Sequence, residues 1–225
     1  MQTWSPAQLG VVDDGFLEKL AALYRTDSVL RGRFESALQQ QRLVGEEPMA
    51  GQGARRGGIA PLMRAPARIL RPDGGPNIAA VEFSGWDTHA NQGLVGGALD
   101  RLLGQLAEGL TVLRSEMGSA WTNTTVVVMT EFGRTARPNG TRGTDHGTAG
   151  AGFLIGPKVA RSAVFADWPG LTDGQLFERR DLEPTLYTRA VLKAAIAGTF
   201  DLTPAQIERV FPASGAVRGA YHLMG

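Results

Sequence analysis

Residues 124–130, TTVVVMT, form an uncharged and largely β-branched run, which few local structures accept. A strand does, because branched side chains pack well on a pleated surface, and a run without polar alternation belongs to a strand covered on both faces. The clearest helical pattern in the chain comes just before it. Across residues 94–117, Leu94, Ala98, Leu99, Leu102, Leu103, Leu106, Leu110, Leu113 and Met117 recur mostly at intervals of three and four. Asp100, Arg101, Glu108, Arg114 and Glu116 are left for the wet side. Gly96, Gly97, Gly104 and Gly109 work against this helix, at about 1 kcal/mol each relative to alanine. A short apolar run at 77–83 (NIAAVEF) precedes the helix, and another at 152–156 (GFLIG) follows a Gly-rich loop. Strand, helix, strand, loop, strand and helix in that order predict an α/β fold with a mostly parallel sheet flanked by helices.

The first part of the chain reads differently. Residues 13–44 carry helical spacing in two segments. Asp13 or Asp14 would cap the first, with Phe16, Leu17, Leu20, Ala21 and Tyr24, and Ser28 the second, with Val29, Leu30, Phe34 and Leu38. Residues 45–58 lose periodicity and predict a flexible loop, and Pro61 and Pro66 predict a broken helix after it. The expected division is a helical segment over 1–76 and an α/β domain over 77–225. Near the end, Pro184 sits where a first helical residue would, Gly198 where that helix would stop, and residues 203–206 (TPAQ) form a capping box.

Composition narrows the chemistry. The formal net charge is +1 over 225 residues, so no overall field draws the protein to nucleic acid. No apolar run approaches the roughly 18 residues of a membrane span. The first residues show neither the basic nor the apolar region of a signal peptide. With no cysteine, any metal is left to oxygen and imidazole ligands.

Two of the three histidines lie beside acids. Asp87 and His89 follow the 77–83 run two residues apart, a spacing that points side chains the same way along extended backbone. Glu131 follows the 124–130 run, and Asp145-His146 precedes the 152–156 run. Ligands of open α/β sheets sit beyond the strand ends, where these clusters would fall. Three carboxylates and two imidazoles crowded together call for a positive partner. A divalent cation (zinc, manganese or magnesium) answers that need. Each residue also has a purely structural reading, His89 as a turn cap and Asp145 as an Asx-turn. Arg134, Arg137, Arg142 and Asn139 share the intervening loop. Arginine fits phosphate or sulfate as a fork, which singles out Arg134, nearest Glu131, for a small anionic substrate, with Asn139 beside it. Arg137 and Arg142 read more simply as solvated or paired with nearby acids.

Residues 85–92 (GWDTHANQ), 130–134 (TEFGR), 139–140 (NG) and 143–149 (GTDHGTA) together resemble the bacterial family called domain of unknown function 1501. Residues 181–185 (DLEPT) and the helix after them resemble its closing segment. The resemblance runs from about 77 to about 212, and several separated motifs in order carry it. That family is grouped with the alkaline phosphatase and sulfatase superfamily, which implies a central sheet with metal ligands on loops at strand ends. By that analogy Asp87, His89 and His146 look like ligands of one metal. Glu131 falls where the superfamily carries an Asp-His pair, and Phe132 supplies no imidazole for a second metal. Nothing in residues 1–76 resembles the segment that brings the superfamily's nucleophile. The chain therefore reads as a C-terminal half, with a partner or upstream segment supplying the rest. Family members are commonly exported, implying the periplasm, although no export signal is visible here.

Three functions follow as expectations. The first is a metal-dependent hydrolase of phosphate or sulfate esters, with Ser84, Thr88 and Thr144 the hydroxyls nearest the ligands. The second is a non-catalytic metal- or anion-binding scaffold of the same fold. The third is a remnant with an exposed sheet edge.

Overall fold

A computed structural model describes residues 14–44 and 59–225. The loop expected at 45–58, and Asp13 as a cap, lie outside the described residues. The chain forms two compact units. One is made by the chain up to Ser84 with Arg101–Gly118, the other by Gly85–Asp100 with Ser119–Gly225.

The first unit is helical. Helix α1 (Asp14–Tyr24) and helix α2 (Ser28–Val44) are separated by a short turn. The Tyr24 and Phe34 rings meet edge-on across it, with centroids 5.8 Å apart. Asp27, rather than Ser28, caps α2: its Oδ1 accepts from the N–H groups of Val29 and Leu30 at 2.9 and 3.0 Å. A carboxylate one residue earlier reaches the unsatisfied donors of the first turn and leaves Ser28 inside the helix. Helix α3 (Ala60–Leu70) runs through both prolines that were expected to break it. Pro61 lies in the first turn, where a missing N–H removes no hydrogen bond. Pro66 lies inside a helix whose Met63, Ala65 and Ala67 are buried. Burial of that face offsets the lost bond.

Helix α4 (Ala98–Met117) buries Leu106, Gly109, Leu113 and Met117 at intervals of three and four. It begins at Ala98 rather than at 94, because Gly93 and Gly96 take positive φ (72° and 78°) and turn the chain. Leu94 and Val95 are left 89% and 97% exposed. Gly109 is where α4 needs no side chain. A Cβ there would collide with the Ile59 side chain and lie 3.3 Å from Met63 Cγ. Residues 77–83, expected as a buried strand, form no regular element, and Ile78 is 71% exposed. A strand needs a neighbour for its N–H and C=O groups, and none pairs with this segment among the described residues.

The second unit holds two small antiparallel pairings. Strand β1 (Val126–Val128) pairs with β4 (Phe153–Ile155), Val126 opposite Ile155. Strand β2 (Gly133–Arg134) pairs with β3 (His146–Gly147), Arg134 opposite His146. The TTVVVMT run thus contributes three half-buried residues to an antiparallel pair, and no parallel ladder forms among the described residues. Helix α5 (Thr188–Phe200) starts four residues after Pro184 and passes through Gly198. It ends where Asp201 turns left-handed, with φ of 51°. Its Ala190 packs with Ala220 and Leu223 against Leu154, Phe165, Val191 and Val217. Lys193 on the same helix is buried and donates to the carbonyls of Ser214 and Val217 at 2.8 and 2.9 Å. Helix α6 (Pro204–Val210) opens on the Thr203–Gln206 capping box. No helix among the described residues is long and apolar enough to cross a membrane.

Candidate functional site

The site is built from turns laid against each other. The 85–92 segment is zipped to the 139–144 segment by backbone bonds: Asn91 N–H to Thr141 O and Gln92 N–H to Arg142 O, both 3.0 Å. Only glycine fits at 143, where a Cβ would collide with the carbonyl of His89. Thr88 is buried, and its hydroxyl donates to Gln92 Oε1 at 2.8 Å. Its neighbours Asp87 and His89 alternate outward to a shared exposed face. From the other side, β2 and β3 set Arg134 and His146 opposite each other, so both side chains stand on one face.

Asp87 is where these elements meet. Its Oδ1 lies 3.0 Å from His89 Nε2, 2.9 Å from His146 Nε2 and 2.9 Å from an Arg134 terminal nitrogen. The ligand atoms of Asp87, His89 and His146 all lie within 4.8 Å of one another. The hydrogen bond to His146 outweighs the opposing desolvation and, with smaller help from the Arg134 bond and the nearby imidazoles, holds the Asp87 carboxyl below its ordinary value.

Asp145 stands behind this group. His89 turns Nδ1 to Asp145 Oδ1 at 3.1 Å and Nε2 toward Asp87. Asn139 Nδ2 donates to the same Asp145 oxygen at 2.8 Å and to the His89 carbonyl at 2.9 Å. Its Oδ1 accepts from the N–H groups of Thr141 and Gly143, each at 3.0 Å. These bonds, led by the one from Asn139 and followed by that from His89, lower the Asp145 carboxyl as well. Asp145 thus has the position of a carboxylate orienting an imidazole from behind, and Asn139 organises the loop that carries it.

Of the seven residues singled out from sequence, six are linked by hydrogen bonds or ion pairs: Asp87, His89, Arg134, Asn139, Asp145 and His146. Glu131 lies outside that network and bonds to none of them. Both terminal nitrogens of Arg134 are engaged. NH1 donates to Thr144 O at 2.8 Å, while NH2 donates to Trp86 O at 2.6 Å and to Asp87. Arg137 pairs with Asp173, and Arg142 donates to Asn91 Oδ1 at 2.8 Å.

Several residues have roles in the site that the sequence left unassigned. Gln92 Oε1 takes the hydroxyls of both Thr88 and Thr144 at 2.8 Å, tying the two turns together. Phe132 stacks on His146 with ring planes 9° apart. Arg180 donates to the His146 carbonyl at 3.2 Å, and the buried Asp181 accepts from Thr148 Oγ1 at 2.9 Å. Their signal was positional only. All lie inside or beside the quoted motifs, but none belongs to a metal-ligand or nucleophile pattern.

No curated protein and no solved structure matches the chain. Residues 66–211, more than half of it, match the family described as "Protein of unknown function (DUF1501)", and the chain belongs to that family.

Proposed function

We propose that this chain carries one divalent-cation site formed by Asp87, His89 and His146, and serves in metal-dependent hydrolysis of phosphate or sulfate esters. The observation that supports it is the approach of two imidazole Nε2 atoms to one carboxylate oxygen, at 3.0 and 2.9 Å. A four-coordinate zinc with bonds of about 2.0–2.2 Å sets neighbouring ligand atoms about 3.3 Å apart, close to the two carboxylate–imidazole spacings here. Two nitrogens and one oxygen suit zinc or manganese better than magnesium, which favours oxygen throughout. The three side chains are about half exposed, leaving room for a small anionic ester. A bound ion would supply Lewis-acid polarisation of the ester oxygens. The chain's own residues hold that position. Asp145 and Asn139 orient His89, and Arg134 fixes Asp87 while offsetting its charge. A mostly parallel sheet flanked by helices stays the architecture proposed for the complete alkaline-phosphatase-like protein. This chain would be its C-terminal part, with a partner or further segment bringing the nucleophile and with a periplasmic setting by family resemblance.

A non-catalytic scaffold that binds a metal or an anion is the second reading, and one observation favours it. The Thr88 and Thr144 hydroxyls both donate to Gln92, and no hydroxyl among the described residues bonds to the Asp87, His89 or His146 side chain. Elemental analysis and zinc titration test the site common to both readings. Wild type should take up zinc or manganese, and Asp87→Ala should weaken zinc binding by more than about 100-fold, beyond what loss of an outer-shell partner costs. Metal-free wild type, or Asp87→Ala binding like wild type, would sink it. Turnover of a generic phosphate or sulfate ester then separates enzyme from scaffold.

A further inference from the structure

The two imidazoles of the site are oriented by different means. His89 has a carboxylate behind it, with Nδ1 3.1 Å from Asp145 Oδ1. The His146 ring has Asp87 as its one hydrogen-bond partner among the described residues, and its side chain is 52% exposed. The torsion that turns an imidazole about its Cβ–Cγ bond is broad, so a single hydrogen bond leaves the ring free to swing. Something else has to hold Nε2 toward the site.

Phe132 lies flat against that ring. The centroids are 4.4 Å apart and the planes within 9° of parallel. Tilting the imidazole would drive its edge into the phenyl face, so the stack restricts the motion that hydrogen bonding leaves open. The phenyl ring is itself held, since the Arg134 guanidinium carbon lies 4.7 Å from its centroid. Arg134 in turn donates to Asp87 at 2.9 Å. The contacts close on themselves: Asp87 to Arg134, Arg134 to Phe132, Phe132 to His146, and His146 back to Asp87. We infer that Phe132 is a positioning residue, whose flat face aims His146 Nε2 at the cation as Asp145 aims His89. The inference rests on the cation-site reading above, and it gives a role to a side chain with no metal-binding chemistry of its own.

The test compares zinc affinity, by competition with a chromophoric chelator, and the visible spectrum of the cobalt(II) form. The proteins are wild type, Phe132→Leu, Phe132→Met and Phe132→Tyr, with Asp87→Ala as reference. Two apolar replacements without a flat face guard against misfolding of either one. Loss of the stack should weaken zinc about tenfold or more and shift the cobalt bands, because the imidazole no longer holds one orientation. Phe132→Tyr, which keeps the face, should restore both. Affinity and spectrum unchanged in Phe132→Leu and Phe132→Met would overturn the inference, as would weaker affinity with an unshifted spectrum. If wild type takes no zinc, or Asp87→Ala binds it like wild type, the cation site itself fails and the inference goes with it. If Asp87→Ala loses zinc while the Leu and Met variants match wild type, only the role of Phe132 falls.

Discussion

Where α3 meets α4, apolar side chains make the contact. Ile59 and Met63 close on Gly109, and Leu113 and Met117 are buried along the same helix. Where the 85–92 turn meets the 139–147 segment, hydrogen bonds make most of the contact: Asn139 donates to the His89 carbonyl, Gln92 accepts from the Thr144 hydroxyl, and the His89 ring meets Asp145. The first kind of contact is non-directional and roughly proportional to area, so it tolerates small displacements. The second is directional and loses a bond outright when one partner moves. The cation site proposed at Asp87, His89 and His146 is built from the second kind, and its exposed side chains gain little from burial. Helical packing is therefore where stability should be most sensitive to mutation, and the turns are where ligand geometry should be.

The largest effect that sharpens this contrast is expected in the helices. Leu113→Ala should cost about 2–5 kcal/mol of unfolding free energy, the range for truncating a buried leucine. Denaturant unfolding followed by circular dichroism reads it, and a loss well below 1 kcal/mol would show that α4 is not held by that face. In the turns, Asn139→Ala removes the donor to Asp145 and the acceptor for two N–H groups. Zinc affinity should fall about 10–100-fold, the usual consequence of losing a residue that orients a ligand. An unchanged affinity would mean that Asp145 holds His89 without help. The smallest effect is acidic. Asp87 and Asp145 are both lowered from 3.8 in the folded chain. A folded value below the unfolded one means these carboxylates add stability above the unfolded pKa. That contribution is lost as pH falls through their folded values, so the window lies below 3.8. Carboxyl titration by NMR should place both midpoints under 3.8, and midpoints at or above it would break the assigned hydrogen bonding.

Local pattern was enough for much of the chain. The stripe ending at Leu113 and Met117, the Thr203–Gln206 box and the two helices of 14–44 all rest on neighbours three or four residues apart. The same reading failed where neighbours were missing. Residues 77–83 have strand-like composition but no partner strand, and positive φ at Gly96 delays a helix that leucine spacing would start at 94. Residue types also narrowed the site, since without cysteine only acids and histidines could ligate.

The roles within the site needed the folded chain. Asp87 meets Arg134 across 47 positions and His146 across 59, while His89 meets Asp145 across 56. No periodicity spans such distances. Chain order alone makes Asp145 as good a ligand as His146 and makes Arg134 look free for an anion. Only the pairing of β2 with β3 and the zipping of the two turns put Asp145 behind an imidazole, commit Arg134 to two carbonyls and a carboxylate, and leave Glu131 apart. A side chain's chemistry is written in its formula, but its task depends on which atoms the backbone brings within about 3 Å of it.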